Sequence, residues 1–168
     1  AMASAGGIEA VGRGMGQHPE AAKVQEYGCA ALMNLTADAA LSGAIASAGG
    51  IEAVVRGMGQ HPEAAKVQQH GCGALWILAD DAALKGAIAS AGGIEAVVRG
   101  MGQNPVAAQV QEYGCAALMN LTADAALRGA IASARGIEAV VRGAGYHPQT
   151  PKTPTQRSRP LVTLATHT

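Results

Sequence analysis

Apolar residues at Ile51, Val54, Val55 and Met58 follow a three, four, seven spacing and share one face of a helix. A second stripe, Val67, Gly71, Ala74, Leu75 and Leu78, predicts a longer helix over about 62–78. Gln60-His61-Pro62 divides the two. The residue before a proline is pushed out of the helical region, and proline itself suits the first turn of the helix that follows. Beyond Leu78, Asp80 or Asp81 is placed to cap a short helix over 82–90. Ala91-Gly92-Gly93 stops that helix, because glycine accepts the left-handed conformation in which helices close.

The pattern recurs. Ile8, Ile51, Ile94 and Ile137 each lead an Ile-Glu-Ala-Val segment, 43 residues apart. Long helices are expected again over 19–35, followed by Asp38, and over 105–121, followed by Asp124. Residues 1–7 line up with 44–50, so the first copy enters in mid-repeat with most of its short helix missing. A step of this length marks a stacked array with no single core. The expectation is an all-α superhelix over residues 1–147, with three to three and a half repeats of three helices each. From 148 to 168 the helical period stops. That stretch is rich in Thr and Pro, carries Lys152, Arg157 and Arg159 without an acid, and reads as a disordered basic tail.

Glycines stand in the last turn of each Ile-x-x-Val-Val helix, at Gly14 and Gly16, Gly57 and Gly59, and Gly100 and Gly102. Each costs up to about 1 kcal/mol relative to alanine. Those helices are expected to fray, and the array to be marginally stable.

Composition narrows the function classes. The 168 residues carry no net charge, no Phe and a single Trp, so neither nucleic acid nor an anionic surface is an expected partner. No apolar run approaches the roughly 20 residues that span a bilayer, and no secretory leader is seen; an intracellular, cytoplasmic location is expected, with the nucleus also open. Cys29, Cys72 and Cys115 are one repeat apart, unlike the close pairs of zinc sites, and read as small buried thiols. Neither a metal nor a cofactor is expected.

The clustered glycines at 12–16 end a helix, where a phosphate cradle needs one to begin. His18, His61 and His147 share the His-Pro turn, where Asn104 stands in the third copy, and read as surface residues. Glu9, Glu52, Glu95 and Glu138 open their helices, where a negative charge meets the positive end of the dipole. Asn34-Leu35-Thr36 and Asn120-Leu121-Thr122 match a glycosylation sequon but fall within helices. Thr150-Pro151 and Thr153-Pro154 are short tail motifs of the kind read by kinases or proline-binding domains, beside the plainer reading of a disordered end. No catalytic constellation is visible, so no enzyme is expected.

A short helix, a glycine break, an Ile-x-x-Val-Val helix, a proline turn and a long third helix together resemble the armadillo repeat. The most similar part is Val24-Gln25-Glu26-Tyr27-Gly28-Cys29-Ala30-Ala31-Leu32-Met33-Asn34-Leu35-Thr36, which is similar to that family's third helix. HEAT units usually pair two helices and tetratricopeptide units repeat at about 34 residues, so both fit less well. The resemblance implies a right-handed superhelix whose concave groove, lined by third helices, takes an extended peptide or partner protein, with an asparagine ladder clamping the peptide backbone. Asn34 and Asn120 match the ladder, while Ile77 interrupts it. The importin-type tryptophan position holds Ala30, Gly73 and Ala116, and Trp76 points elsewhere on its helix. These departures argue against a reader of basic import signals.

Helical arithmetic adds Lys23, Tyr27 and Ala30 to the face of Asn34, then Lys66, His70 and Gly73, then Gln109, Tyr113 and Ala116. The candidate binding residues are therefore Asn34, Asn120, Tyr27, Tyr113, Lys23, Lys66, His70 and Trp76. Residues 7–48 and 93–134 differ at only a handful of sites, as recent duplication would leave them. That observation favours a second reading, a structural spacer or a block of a larger protein with no tuned groove. Exposed ends of an array can also associate end to end.

Overall fold

The computed structural model describes residues 2–146, and no strand occurs among them. The helices are α1 (Met2–Gln17), α2 (Ala22–Leu35), α3 (Ser42–Ser47), α4 (Gly50–Gln60), α5 (Ala65–Leu78), α6 (Ala82–Ser90), α7 (Gly93–Gln103), α8 (Ala108–Thr122), α9 (Ala125–Ser133) and α10 (Gly136–Tyr146). A single 3-10 turn, Ala39–Leu41, precedes α3. The expected tail lies outside the described residues.

The long helices pack side by side, α2 on α5 and α5 on α8. Each also packs on the helix before it: α1 on α2, α4 on α5, α7 on α8. The apolar stripes meet along these seams. Ile8, Ile51 and Ile94 are buried in register, as are Met15, Met58 and Met101, and Leu32, Leu75 and Leu118. Fully burying such a side chain contributes about 1.5–3 kcal/mol. The methionines run into Gly28, Gly71 and Gly114, where an added Cβ would stand within 2.6 Å of a methionine Cγ. A glycine in mid-helix is what lets the two helices approach so closely.

Aspartates cap the short helices α6 and α9, and Asp38 caps the 3-10 turn that leads into α3. Asp38, Asp81 and Asp124 accept from the backbone N–H of Ala40, Ala83 and Ala126 at 2.9–3.0 Å. Gly49 and Gly92 close those helices at φ +76° and +84°, and Arg135 takes that place in the fourth copy at φ +64°.

Three expectations are corrected. The long helices do not begin at their prolines; they start at Ala22, Ala65 and Ala108. Before each, a turn closes with Ala21, Ala64 or Ala107 N–H on the carbonyl of His18, His61 or Asn104. The prolines sit in that turn. The glycine-rich helix ends are not frayed: α4 runs to Gln60 and α7 to Gln103. Nor does the first copy break where its neighbours do. Ser4-Ala5-Gly6-Gly7-Ile8 is continuous within α1, whereas Ser47-Ala48-Gly49-Gly50-Ile51, the same five residues, stops one helix and starts another. At the second site Ile45 packs on Gly50, its backbone oxygen 2.8 Å from where a Cβ would be. The break is made by packing around the glycines, not by the glycines alone.

Candidate functional site

The eight candidate residues all lie on α2, α5 and α8, the helices that pack side by side. They do not form one uniform ladder. On α2, Tyr27 is 66% exposed. The Lys23 ammonium lies 5.7 Å above its ring and pairs with the Glu26 carboxylate at 2.7 Å. That hydrogen bond, and then the Glu26 charge, raise the lysine pKa. Asn34 is exposed, and its side chain has no hydrogen bond among the described residues.

On α5, Lys66 donates to Gln69 Oε1 at 3.2 Å. His70 is half-buried, with its Nδ1 buried and without a hydrogen-bond partner in the described chain. Burial, and then the nearby Lys66 charge, lower its pKa; Glu26 pulls the other way. A concavity of about 260 Å³ opens between the first turns of α5 and α8, lined by Lys66, Gln69 and Gln109.

Trp76 of α5 and Tyr113 of α8 meet across the helix seam. Their rings stack with centroids 5.5 Å apart and planes 27° from parallel, a geometry worth about 0.5–1.5 kcal/mol beyond burial. Gly73 makes room for it: a Cβ there would meet Tyr113 Cδ2 at 3.3 Å and Met33 Sδ at 2.5 Å. Trp76, read from sequence as pointing away from the tyrosine stripe, is joined to it by this stack.

Asn120 is committed within the chain. Its Nδ2 donates to the Trp76 backbone carbonyl at 3.1 Å. That carbonyl lies in the last turn of α5, where helix carbonyls lack intrahelical donors. The equivalent carbonyls of Met33 and Met119 receive the hydroxyls of Thr36 and Thr122. Ala79 occupies the threonine position after α5, and Asn120 supplies the missing donor. Lys85 of α6 donates in turn to the Asn120 carbonyl at 3.0 Å, a cation at a helix C-terminus.

Two further sets of residues tie helices together, the first within each copy and the second between neighbouring copies, and neither was singled out for this in the sequence. Gln25, Gln68 and Gln111 are buried. Each donates through Nε2 to two backbone carbonyls at 2.8–2.9 Å, those of Met15 and His18, Met58 and His61, and Met101 and Asn104. The signal was present: a glutamine at one fixed offset in three otherwise apolar seams. His61 is half-buried and its Nε2 reaches the Pro19 carbonyl at 2.7 Å. Asn104 reaches the Pro62 carbonyl at the same distance. A carbonyl only accepts, so the proton is on Nε2 of His61. The expectation of a surface histidine holds for His18 and fails for His61; His147 lies outside the described residues.

Cys29 and Cys72 are buried, and burial pushes both thiols up to about 12. No group of three or more His, Cys, Asp or Glu among the described residues is placed to hold a metal ion. No single described helix is long and apolar enough to cross a membrane. Compared with protein-family models, with curated proteins and with solved structures, the chain matches none.

Proposed function

We propose that this chain is an armadillo-type solenoid of about three and a half repeats, and that it works as a non-catalytic scaffold for an extended peptide or partner segment. The peptide lies across α2, α5 and α8. The observation that carries the reading is the row of part-exposed Tyr27, His70 and Tyr113 with Trp76 on three helices packed in sequence. Aromatic and amphipathic side chains held on rigid helices offer contact area at low entropic cost. Asn34 offers a peptide backbone both a donor and an acceptor. Asn120, already bonded to Trp76, is assigned to holding α8 on α5.

The spacer reading draws on one specific feature. Lys23, Lys66 and Asn120 all spend their polar groups inside the chain, as they would on a face with no ligand.

A peptide-library screen separates the two. The scaffold predicts selective peptides whose binding is lost in Tyr27→Ala with Asn34→Ala, at unchanged helicity by circular dichroism. Both residues are exposed, so the pair leaves the core intact. A folded chain that selects no peptide establishes the spacer.

A further inference from the structure

One polar atom on the candidate face is buried with no partner among the described residues: Nδ1 of His70. Nε2 of the same ring is not closed off in this way, and the residue as a whole is half-buried. Neutral imidazole carries one N–H and one bare nitrogen. Orphaned N–H groups are rarer inside proteins than under-used acceptors, so the bare nitrogen is the enclosed Nδ1. The proton is then on Nε2, on the accessible side of the ring. There it is a donor, in the row that Tyr27 and Tyr113 occupy in the neighbouring copies.

This seat suits only the neutral ring. Imidazolium is a donor at both nitrogens, and a proton on Nδ1 would meet neither an acceptor nor solvent. The titratable neighbours stand on three helices. Lys66 lies one turn earlier on α5; Lys23, Glu26 and Tyr27 are in register on α2, and Glu112 and Tyr113 on α8. Glu26 is already paired with Lys23. Burial first, and the Lys66 charge second, lower the pKa of His70 against the pull of Glu26. α4 and α7 meet α5 through Met58 on Gly71 and Gly100 on Gln68, and no charge of theirs shifts the ring. Lys85 of α6 is bonded to the Asn120 carbonyl.

We propose that His70 makes the face acid-sensitive: the neutral ring donates from Nε2–H to a carbonyl of the bound segment, and protonation turns the ring out of its seat and releases that segment. A charged ring gains its second hydrogen bond only by leaving the enclosure for water. The motion is a side-chain rotation on a helix that stays folded, because Val67, Gln68 and Gly71 around it are buried in the seams. The release half rests on the scaffold reading given above; the ring half is tested without a ligand.

Nitrogen-15 spectra of the histidine side chains in the full chain test the ring, with His70→Gln to assign its signals. At neutral pH they should show Nδ1 bare and Nε2 protonated. The titration midpoint should lie below about 6.5, and the ring's nuclear Overhauser contacts with the chain should fade through that midpoint. A proton on Nδ1 at neutral pH overturns the proposal, and so do contacts that persist once the ring is charged. Affinity for a peptide selected at neutral pH tests the release. From about pH 7.5 to about pH 5 the parent chain should weaken by about tenfold or more, and His70→Gln by less than about twofold, both at unchanged helicity. Equal weakening in the two, or affinity that rises in acid, overturns the release. A screen that selects no peptide removes the scaffold reading and the release together, and leaves the ring result intact.

Discussion

Gly57 of α4 lies against the preceding copy: a Cβ there would come within 2.8 Å of Gln25 Oε1 and 3.3 Å of Met15 Cε. Gly59, two residues later, is exposed, with nothing within 4 Å of where its Cβ would be. Propensity treats the two alike, which is why the sequence suggested a uniformly weak helix end. Packing separates them. Gly59→Ala should raise stability by about 0.5–1 kcal/mol, and Gly57→Ala should lower it by about 1–3 kcal/mol through overpacking; urea denaturation of both variants decides. His70 carries a pH dependence. Its pKa is lowered in the folded chain, so the unfolded chain binds more protons in that range and stability rises with pH. The contribution is complete above the unfolded value of about 6.5 and is lost as pH falls toward the lowered folded value. Thermal unfolding should show a smaller drop between neutral and mildly acidic pH in His70→Gln than in the parent chain. An identical drop in both would remove His70 from the account.

Between elements, the side chains that matter most are polar ones inside an apolar seam. Replacing Gln68 by Leu strands the Met58 carbonyl and leaves that of His61 with only its turn bond from Ala64, and a loss of about 1–3 kcal/mol is expected from leaving a buried acceptor unpaired. A chemical denaturation midpoint unchanged from the parent would show that water takes over both bonds. At the α9–α10 junction the backbone needs φ > 0, and Arg135 sits where the earlier copies have glycine. Left-handed backbone costs a non-glycine residue about 1–2 kcal/mol. Arg135→Gly should therefore stabilise by about 1 kcal/mol in the same measurement, and a destabilised variant would mean that the arginine side chain holds the turn. The aspartate caps and the apolar stripes were legible in the sequence, because each is set by residues within a few positions; the glycine stops were legible only in part, since the same pair does not break α1. The start of α5 at Ala65, the unbroken α1 and the pairing of Trp76 with Tyr113 were not. The stack joins residues 37 positions apart on two helices, the start of α5 is set by the turn that Ala64 closes on His61, and periodicity within one helix carries no record of either.

Across the molecule, the three cysteines illustrate how one sequence position meets different surroundings. Cys29 and Cys72 are enclosed between copies, while Cys115 lines an open groove against α10 and is half-exposed. Burial raises its pKa too, though it is less enclosed than the others. At neutral pH an aromatic disulfide reagent should modify Cys115 first, with Cys29 and Cys72 reacting only on unfolding. Three equal rates would contradict the packing. Helical arithmetic places seven of the eight candidate residues, all but Trp76, on one side of their helices. Which of them keep free polar groups was not legible. Asn120 is drawn inward because Ala79 lacks a hydroxyl, a substitution in a different copy.

The turn bonds from His61 to Pro19 and from Asn104 to Pro62 hold across a change of side chain, provided a donor reaches the carbonyl of the turn one step earlier. A chain joined this way is modular in inheritance as well as in shape. Duplicating one internal unit brings both its donor and the carbonyl that the next unit requires. Length can thus change by unequal exchange of the coding segment without any new contact having to be invented.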